Sequence, residues 1–313
     1  ALMATGGSTN HTIHWVAIAR AAGIIIDWQD YADLSSVTPL LTRVYPNGSA
    51  DVNHFHKAGG SEFVIRELLD AGNMHRDVLT VWGETLDYYH KRPTIDKDKL
   101  VWRPINRDSG DPEVVTTTDK PFQTDGGIRL LTGNIGRSVI KVSAVAEKHR
   151  VIQAPAMVFD DQLDLKLAFD KGLLNKDLVA VVRFQGPKAN GMPELHKMTP
   201  LLGLLQDQGF KVALVTDGRM SGASGKVPAA IHLTPEAICG GNIAKIKDGD
   251  MLRIDARTGE LLALVEDGEW RSREIDIHRS VNNETGTGRE LFGFMRKQVC
   301  GAEQGATVFQ NWD

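Results

Sequence analysis

Cysteine is nearly absent from this sequence: Cys239 and Cys300 are the only two among 313 residues. Two thiols make at most one disulfide, and a chain long enough to bury a large core does not need it, so both are expected reduced. Nor can two thiols supply the four sulfur ligands of a closed zinc or iron–sulfur centre. Positive charge is not in excess, with 36 Lys and Arg against 40 Asp and Glu for a net charge of −4. This removes the electrostatic attraction that drives binding to a nucleic acid backbone. No uncharged apolar run approaches the ~18–20 residues that cross a bilayer. The first residues also lack a charged segment followed by an apolar one, as a secretory leader would have. Internal repeats and low-complexity tracts are missing too. The expected setting is therefore cytoplasmic, with neither nucleic acid nor membrane as partner.

What is present reads as globular: 42% of residues are hydrophobic and 24% charged. At roughly 100–200 residues per domain, the length suggests two domains. Thirty-one Gly and twelve Pro imply many turns. A Gly-Gly-Ser-Thr-Asn turn arrives five residues after Ala1, with no room for a preceding strand, so the chain is expected to begin mid-domain. HTIHWVAIARAAG has helical spacing, opened by Ser8-Thr9-Asn10 and stopped by Gly23. Ser61 as N-cap and Gly72 as stop bracket a second helix containing Phe63, Ile65, Leu68 and Leu69. The stretch between these helices is rich in turn signals. Residues 88–122 are polar and without apolar periodicity, the composition of a linker or long surface loop. Beyond it come short Val- and Ile-rich runs separated by Gly, among them SVIKVSAVA, LVAVVRF and FKVALVTDG, with PELHKMTPLLGLLQDQG helical between two of them. Several short strands with turn signals argue a sheet or barrel, hence a β-rich α/β domain. One last helix is expected after Gly288, with Leu291, Phe292 and Met295 on a face.

Three Gly-rich segments combine room for close backbone approach with reactive side chains. Gly6-Gly7-Ser8-Thr9-Asn10-His11 stands at a helix start, suited either to an anionic group or simply to capping. QGPKANGMPELHK follows the strand LVAVVRF, and loops at strand C-termini are where α/β proteins hold ligands. Its Glu194 is either a carboxylate favoured by a helix dipole or a hard oxygen ligand for Mg²⁺. TDGRMSGASGK follows the strand FKVALV and carries Asp217, Arg219, Ser221, Ser224 and Lys226. It meets neither the spacing of a Walker phosphate loop nor that of a hydrolase elbow, since Arg219 stands where the elbow needs Gly. His54 and His56 would share one side of an extended segment, either as a metal pair or as a solvated loop. His11 and His14 have helical spacing without an acidic third ligand.

Taken together, GGSTNH, HKAGG, QGPKANGMPELHK and TDGRMSGASGKVPAAIHLTPEA resemble the dihydroxyacid/6-phosphogluconate dehydratase family along the whole chain. KANGMPELHK, SGKVPAAIH and the ending GTGRELF…GAEQGAT lean toward its phosphogluconate branch. The resemblance implies the C-terminal half of such an enzyme. Residues 1–118, with a linker near 88–118, would complete an N-terminal α/β domain, and 119–313 would form a β-barrel-like swivelling domain with flanking helices. It implies a hydro-lyase of the Entner–Doudoroff pathway that converts 6-phosphogluconate to 2-keto-3-deoxy-6-phosphogluconate. It also implies an iron–sulfur cluster of the [4Fe–4S] kind with ligands outside this sequence, a Mg²⁺ ion and a homodimer. Ser221 would abstract the proton and Glu194 would hold Mg²⁺. Ser8, Thr9, Asn10 and Arg219 would contact substrate, while Lys188 and Lys226 are cations for its phosphate or carboxylate. Cys239 and Cys300 match no cluster-ligand position. The rivals are a sister dehydratase acting on a dihydroxyacid or an unphosphorylated sugar acid, and a non-catalytic domain that binds a small anion.

Overall fold

The computed structural model describes residues 1–222, 224–275, 277, 286 and 288–309; Ala223 and Thr287, each inside a motif quoted above, lie outside them. The chain divides into two compact units, Ala1–Gly7 with Asp33–Gly127, and Ser8–Ala32 with Ile128–Asp313. Helix α1 (His11–Ala21) belongs to the second unit, and the division falls inside α2 (Trp28–Val37).

The first unit holds α3 (Val52–Ala58), α4 (Gly60–Asp70) and an antiparallel hairpin of β1 (Lys91–Asp96) and β2 (Lys99–Pro104). Its core is Leu41, Ala58, Phe63, Val64, Leu68 and Val115, all buried, which accounts for the helical spacing of α4. Helix α3 replaces the expected extended segment. Asp51 caps it, accepting from the backbone N–H of Asn53 and His54, and the His54 ring pairs with the Asp51 carboxylate at 2.8 Å. On a helix, residues two apart point to different sides, so His54 and His56 are no metal pair. The hairpin stands where a structureless linker was expected. Lys97 and Asp98 both take positive φ, the conformation of a two-residue hairpin turn. Lys-Asp is not a strong turn signal, and strands without a buried residue show no apolar alternation to betray them.

The second unit is built on a closed eight-stranded barrel. Its strands are β3 (Ile128–Thr132), β4 (Arg137–Lys141), β5 (Val151–Phe159), β6 (Leu178–Val182), β7 (Val212–Thr216), β8 (Ala229–Thr234), β9 (Met251–Asp255) and β10 (Glu260–Ala263). Around the barrel the order is β10, β3, β4, β8, β7, β6, β5, β9. Strands β5 to β8 run parallel, and most other pairings are antiparallel. Strands β6 and β7 are buried at every position, the pattern of strands covered on both faces, so they read in the sequence as unbroken apolar runs. The expected α/β architecture with a barrel and flanking helices is thus present. Helix α5 (Gln162–Asp170) crosses from β5 to β6, while α6 (Pro187–Asn190) and α7 (Met198–Asp207) lie between β6 and β7. Parallel neighbours need a crossover of about a dozen residues, usually helical. Between β7 and β8 that crossover is the Gly-rich segment 217–228, whose described residues form no helix. Helix α8 (Asp267–Ser272) buries Trp270 against the barrel core, and α9 (Gly293–Gln298) starts later than the expected C-terminal helix, so that Leu291 and Phe292 precede it, Met295 lies within it and all three are exposed. Among the described residues, no helix is long and apolar enough to cross a membrane.

Candidate active site

The C-terminal ends of β6 and β7 release two loops that meet side by side. After β6 the chain turns through Phe184 and Gln185 into the one-turn helix α6, then reaches Glu194. After β7 it enters Asp217-Gly218-Arg219-Met220-Ser221. The backbone N–H of Leu195 donates to the Arg219 carbonyl at 3.0 Å. The Arg219 guanidinium donates to the Met192 carbonyl at 2.7 Å and to Glu194 Oε1 at 2.9 Å. This ion pair is partly exposed, so its Coulomb energy is modest and its value lies in orientation. Gly218 has to be glycine: a Cβ there would stand 2.7 Å from Gln185 Cβ and 2.9 Å from Leu195 Cδ1.

The start of α1 closes on the same loop. A Cβ on Gly222, next to Ser221, would come within 2.9 Å of Ser8 Cβ and Oγ. Ser8 Oγ accepts from the Asn10 N–H, and Thr9 is buried. The Asn10 side chain makes no capping bond to α1, and its buried Oδ1 has no hydrogen-bond partner among the described residues. Ser221 is half-buried, and its carbonyl accepts from the Ser224 N–H, turning the loop back on itself. Ser8, Thr9, Asn10, Glu194, Arg219 and Ser221 are therefore drawn together within the second unit. The two lysines sit differently. Lys188 is exposed on α6, and Lys226 is exposed and ion-paired with Asp207 at the end of α7.

Several participants carry no distinct signal in the sequence, and Asp217 stands there only as one polar residue of its Gly-rich segment. His232, in β8, is fully buried with φ +58, a left-handed conformation rare for a side-chain-bearing residue. Burial first, and then Arg219 and His14 nearby, push its imidazole down to about 3, so it is neutral. The Thr12 hydroxyl gives its proton to the Thr9 carbonyl at 2.8 Å and meets His232 Nδ1 at 3.1 Å. Thr12 therefore accepts from Nδ1–H, which assigns the tautomer and leaves Nε2 a buried acceptor without a partner among the described residues. Lys141, at the end of β4, is 7% exposed, and burial pushes its amine down to about 8. It lines a cavity of about 20 Å³ with Thr9, Thr199, Met220 and Ser224, beneath the Ser221 loop. Asp217 and Glu236 are buried carboxylates among these loops, and burial pushes them up to about 6 and about 7. The signal for such residues is weak, since a single polar residue inside or just past an apolar run says nothing of its partners.

The sequence matches the description "Dihydroxy-acid/6-phosphogluconate dehydratase C-terminal" over residues 113–306 and its N-terminal counterpart over 1–89. The chain belongs to the dihydroxy-acid/6-phosphogluconate dehydratase family. It is 58% identical over 309 residues to the phosphogluconate dehydratase of Pseudomonas aeruginosa, covering 99% of this chain and 51% of that protein. To the phosphogluconate dehydratase of Escherichia coli K12 it is 56% identical over 307 residues, or 98% of this chain and 51% of the relative. The dihydroxy-acid dehydratase of Caldanaerobacter subterraneus is 38% identical over 281 residues, or 88% of this chain and 48% of the relative. The chain thus spans about half the length of the curated relatives it matches.

The metal groups implied for the family need sulfur or oxygen ligands. Among the described residues, no three His, Cys, Asp or Glu side chains gather where they could hold a metal ion. Cys239 and Cys300 are free, and the Cys300 sulfur is engaged with the Gln304 carbonyl and the Thr307 N–H. These thiols do not fit an iron–sulfur cluster. Glu194 does fit a Mg²⁺ ion as one ligand, because it is a partly exposed hard oxygen donor held in place by Arg219, and Mg²⁺ commonly takes only one or two protein carboxylates.

Proposed function

We propose that the chain is the C-terminal half of a phosphogluconate dehydratase, a hydro-lyase converting 6-phospho-D-gluconate to 2-keto-3-deoxy-6-phosphogluconate and water in the Entner–Doudoroff pathway. The observation that carries this reading is the convergence of Ser221, the Arg219–Glu194 pair and the Ser8–Asn10 turn at one end of the barrel. The similarity to phosphogluconate dehydratases supports the choice of substrate over a dihydroxyacid.

In this reading Ser221 removes the C2 proton of the sugar acid. The C2–H electron pair becomes the C2=C3 double bond as the C3 hydroxyl leaves and takes up a proton to form water. The resulting enol then tautomerises to the 2-keto acid. A serine hydroxyl ionises only where positive charge compensates it, and the buried Lys141 amine beneath the Ser221 loop offers such charge from this chain. Glu194 would hold Mg²⁺ with Arg219 steadying its carboxylate. When bound, Mg²⁺ would supply positive charge to the substrate, and the [4Fe–4S] cluster that the resemblance implies, for which the described residues offer no ligand set, would supply a Lewis acid. Ser8, Thr9, Asn10 and Arg219 would orient substrate through hydroxyl, amide and guanidinium groups. Lys188, exposed on α6, would supply a cation for the phosphate, whereas Lys226 would do so by releasing Asp207. The division into residues 1–118 and a swivelling domain 119–313 belongs to the same proposal, with the separately matched segments in its support. So do a homodimer and a cytoplasmic setting, on the strength of the resemblance.

The test is 2-keto acid formation by the anaerobically prepared full-length parent protein, offered 6-phosphogluconate, a branched-chain dihydroxyacid and an unphosphorylated aldonate, with Ser221→Ala alongside. Turnover of 6-phosphogluconate that disappears in the variant is the expected result. Preference for another acid moves the chain to a sister dehydratase, and undiminished turnover by Ser221→Ala removes Ser221 as the base.

A further inference from the structure

Two buried carboxylates tie together the loops that carry the candidate catalytic groups. Asp217 is the first residue of the Ser221 loop and is completely buried. Its Oδ1 accepts from the Gln185 N–H at 2.8 Å, and its Oδ2 from the N–H groups of Phe184 at 3.1 Å and Ala237 at 3.0 Å. Glu236, 5% exposed, follows β8 and reaches back to α6. It accepts from the Lys188 N–H at 2.9 Å and the Ala189 N–H at 3.0 Å. The three loops leaving β6, β7 and β8 are thereby closed into a ring through side chains rather than through the barrel. Close approach is built into this ring: a Cβ on Gly186 would stand 2.3 Å from Glu236 Oε2.

Stability alone does not select this arrangement. Burying a carboxylate is costly unless every oxygen is hydrogen-bonded, and two of them raise one another's cost. Here Asp217 raises the Glu236 carboxyl further, after burial has done most of the work. A carboxylate is nonetheless the one side chain that presents two acceptor oxygens to several N–H groups, whereas an amide would turn an NH₂ donor against a backbone donor. Apolar residues could have filled the space, but they would have taken the carboxylate acceptors away from these five backbone N–H groups.

We propose that Asp217 and Glu236 are the positioning residues of the dehydratase site, their five backbone N–H bonds setting the loop that carries Glu194 in register with the loop that carries Arg219 and Ser221. Neither touches the reacting atoms in this assignment. Their contribution is made through Ser221 and Glu194, so what the loops do rests on the dehydratase reading, while the ring itself does not.

Two measurements on the full-length parent protein separate these parts, with Asp217→Asn, Glu236→Gln and, as a destabilised control away from the loops, Ile254→Ala in β9. The first is amide hydrogen exchange. Asp217→Asn is expected to lose at least tenfold protection at Phe184, Gln185 and Ala237 while the amides of β9 keep theirs; unchanged protection at those three positions overturns the proposal. The second is steady-state kinetics per folded molecule on whichever acid the wild type dehydrates. Asp217→Asn is expected to lower kcat at least tenfold with KM within threefold, and Ile254→Ala to leave kcat per folded molecule unchanged. An unaltered kcat in Asp217→Asn, a loss confined to KM, or an equal loss in Ile254→Ala overturns it. If Asp217→Asn does not fold, the same criteria apply to Glu236→Gln, read at the amides of Lys188 and Ala189. A wild type that turns over none of the acids defeats the dehydratase reading, and the exchange data still decide whether the ring exists.

Discussion

His232 illustrates what a single residue contributes. Its imidazole is neutral in the folded chain because protonation within the barrel, near Arg219 and His14, is unfavourable. The folded value of about 3 lies below the unfolded value near 6.5, so the unfolded state gains a proton first as pH falls. The stability contributed by this neutral histidine is complete above pH ~6.5 and declines toward pH ~3. Asp217 and Glu236 work in the opposite sense. Their folded values are raised, so their contribution is complete below about pH 4 and declines as pH rises through about 6 and about 7. A variant isolates the histidine. In urea unfolding, the stability of His232→Gln relative to wild type should improve by about 1.6 kcal/mol between pH 6.5 and pH 5. A difference that stays constant would mean that His232 is not held neutral. The residue was invisible as a functional candidate in the sequence, where it sits in AAIHLT as one polar letter among apolar ones; both its burial and its bond to Thr12 come from strands and helices far apart in the chain.

Among the elements, the crossover between β7 and β8 is the unusual one, because a loop spans what a helix normally does. That loop lies against α1 with so little clearance that Gly222→Ala should push Ser8 or the loop itself aside. A loss of at least tenfold in kcat/KM is expected, and unchanged kinetics would separate the α1 turn from the substrate site. Helix α7 offers the contrasting case. Gly203 lies inside it with nothing within 4 Å of the position an added methyl would take, so Gly203→Ala should add about 0.5–1 kcal/mol of stability and leave turnover alone. Thermal unfolding checks the first part, and a lowered Tm would show that the helix lacks that space. Helices α1, α4 and α7 were legible because their apolar periodicity and Gly stops are local. Helix α3 and the β1–β2 hairpin were not, since a short capped helix and a solvent-exposed hairpin carry little apolar pattern.

For the whole molecule, the decisive fact is that this chain brings Ser221 and one candidate Mg²⁺ ligand together, yet no cluster of metal ligands among its described residues. Because the chain spans about half the length of the relatives it matches, the 313 residues by themselves are expected to show no dehydration of 6-phosphogluconate, while the full-length parent protein is expected to show it. Turnover by the 313-residue chain alone would refute the proposed division of labour. Addition of a chelator to the full-length protein should abolish activity, and Mg²⁺ should restore the part that depends on Glu194.

The amino-acid sequence alone determined the family, the reduced cysteines, the apolar barrel strands and the Gly-rich loops at their ends, because each of these is written in contiguous residues. Tertiary structure alone decided that the barrel closes, that Ser8 lies against Gly222, that Lys226 turns to Asp207, and that Asp217 and Glu236 bind the loops of three strands together. The reason is physical. Local pattern reports which face of an element avoids water, whereas a buried charge is defined by its partners, and these partners are brought to it by the closure of the barrel.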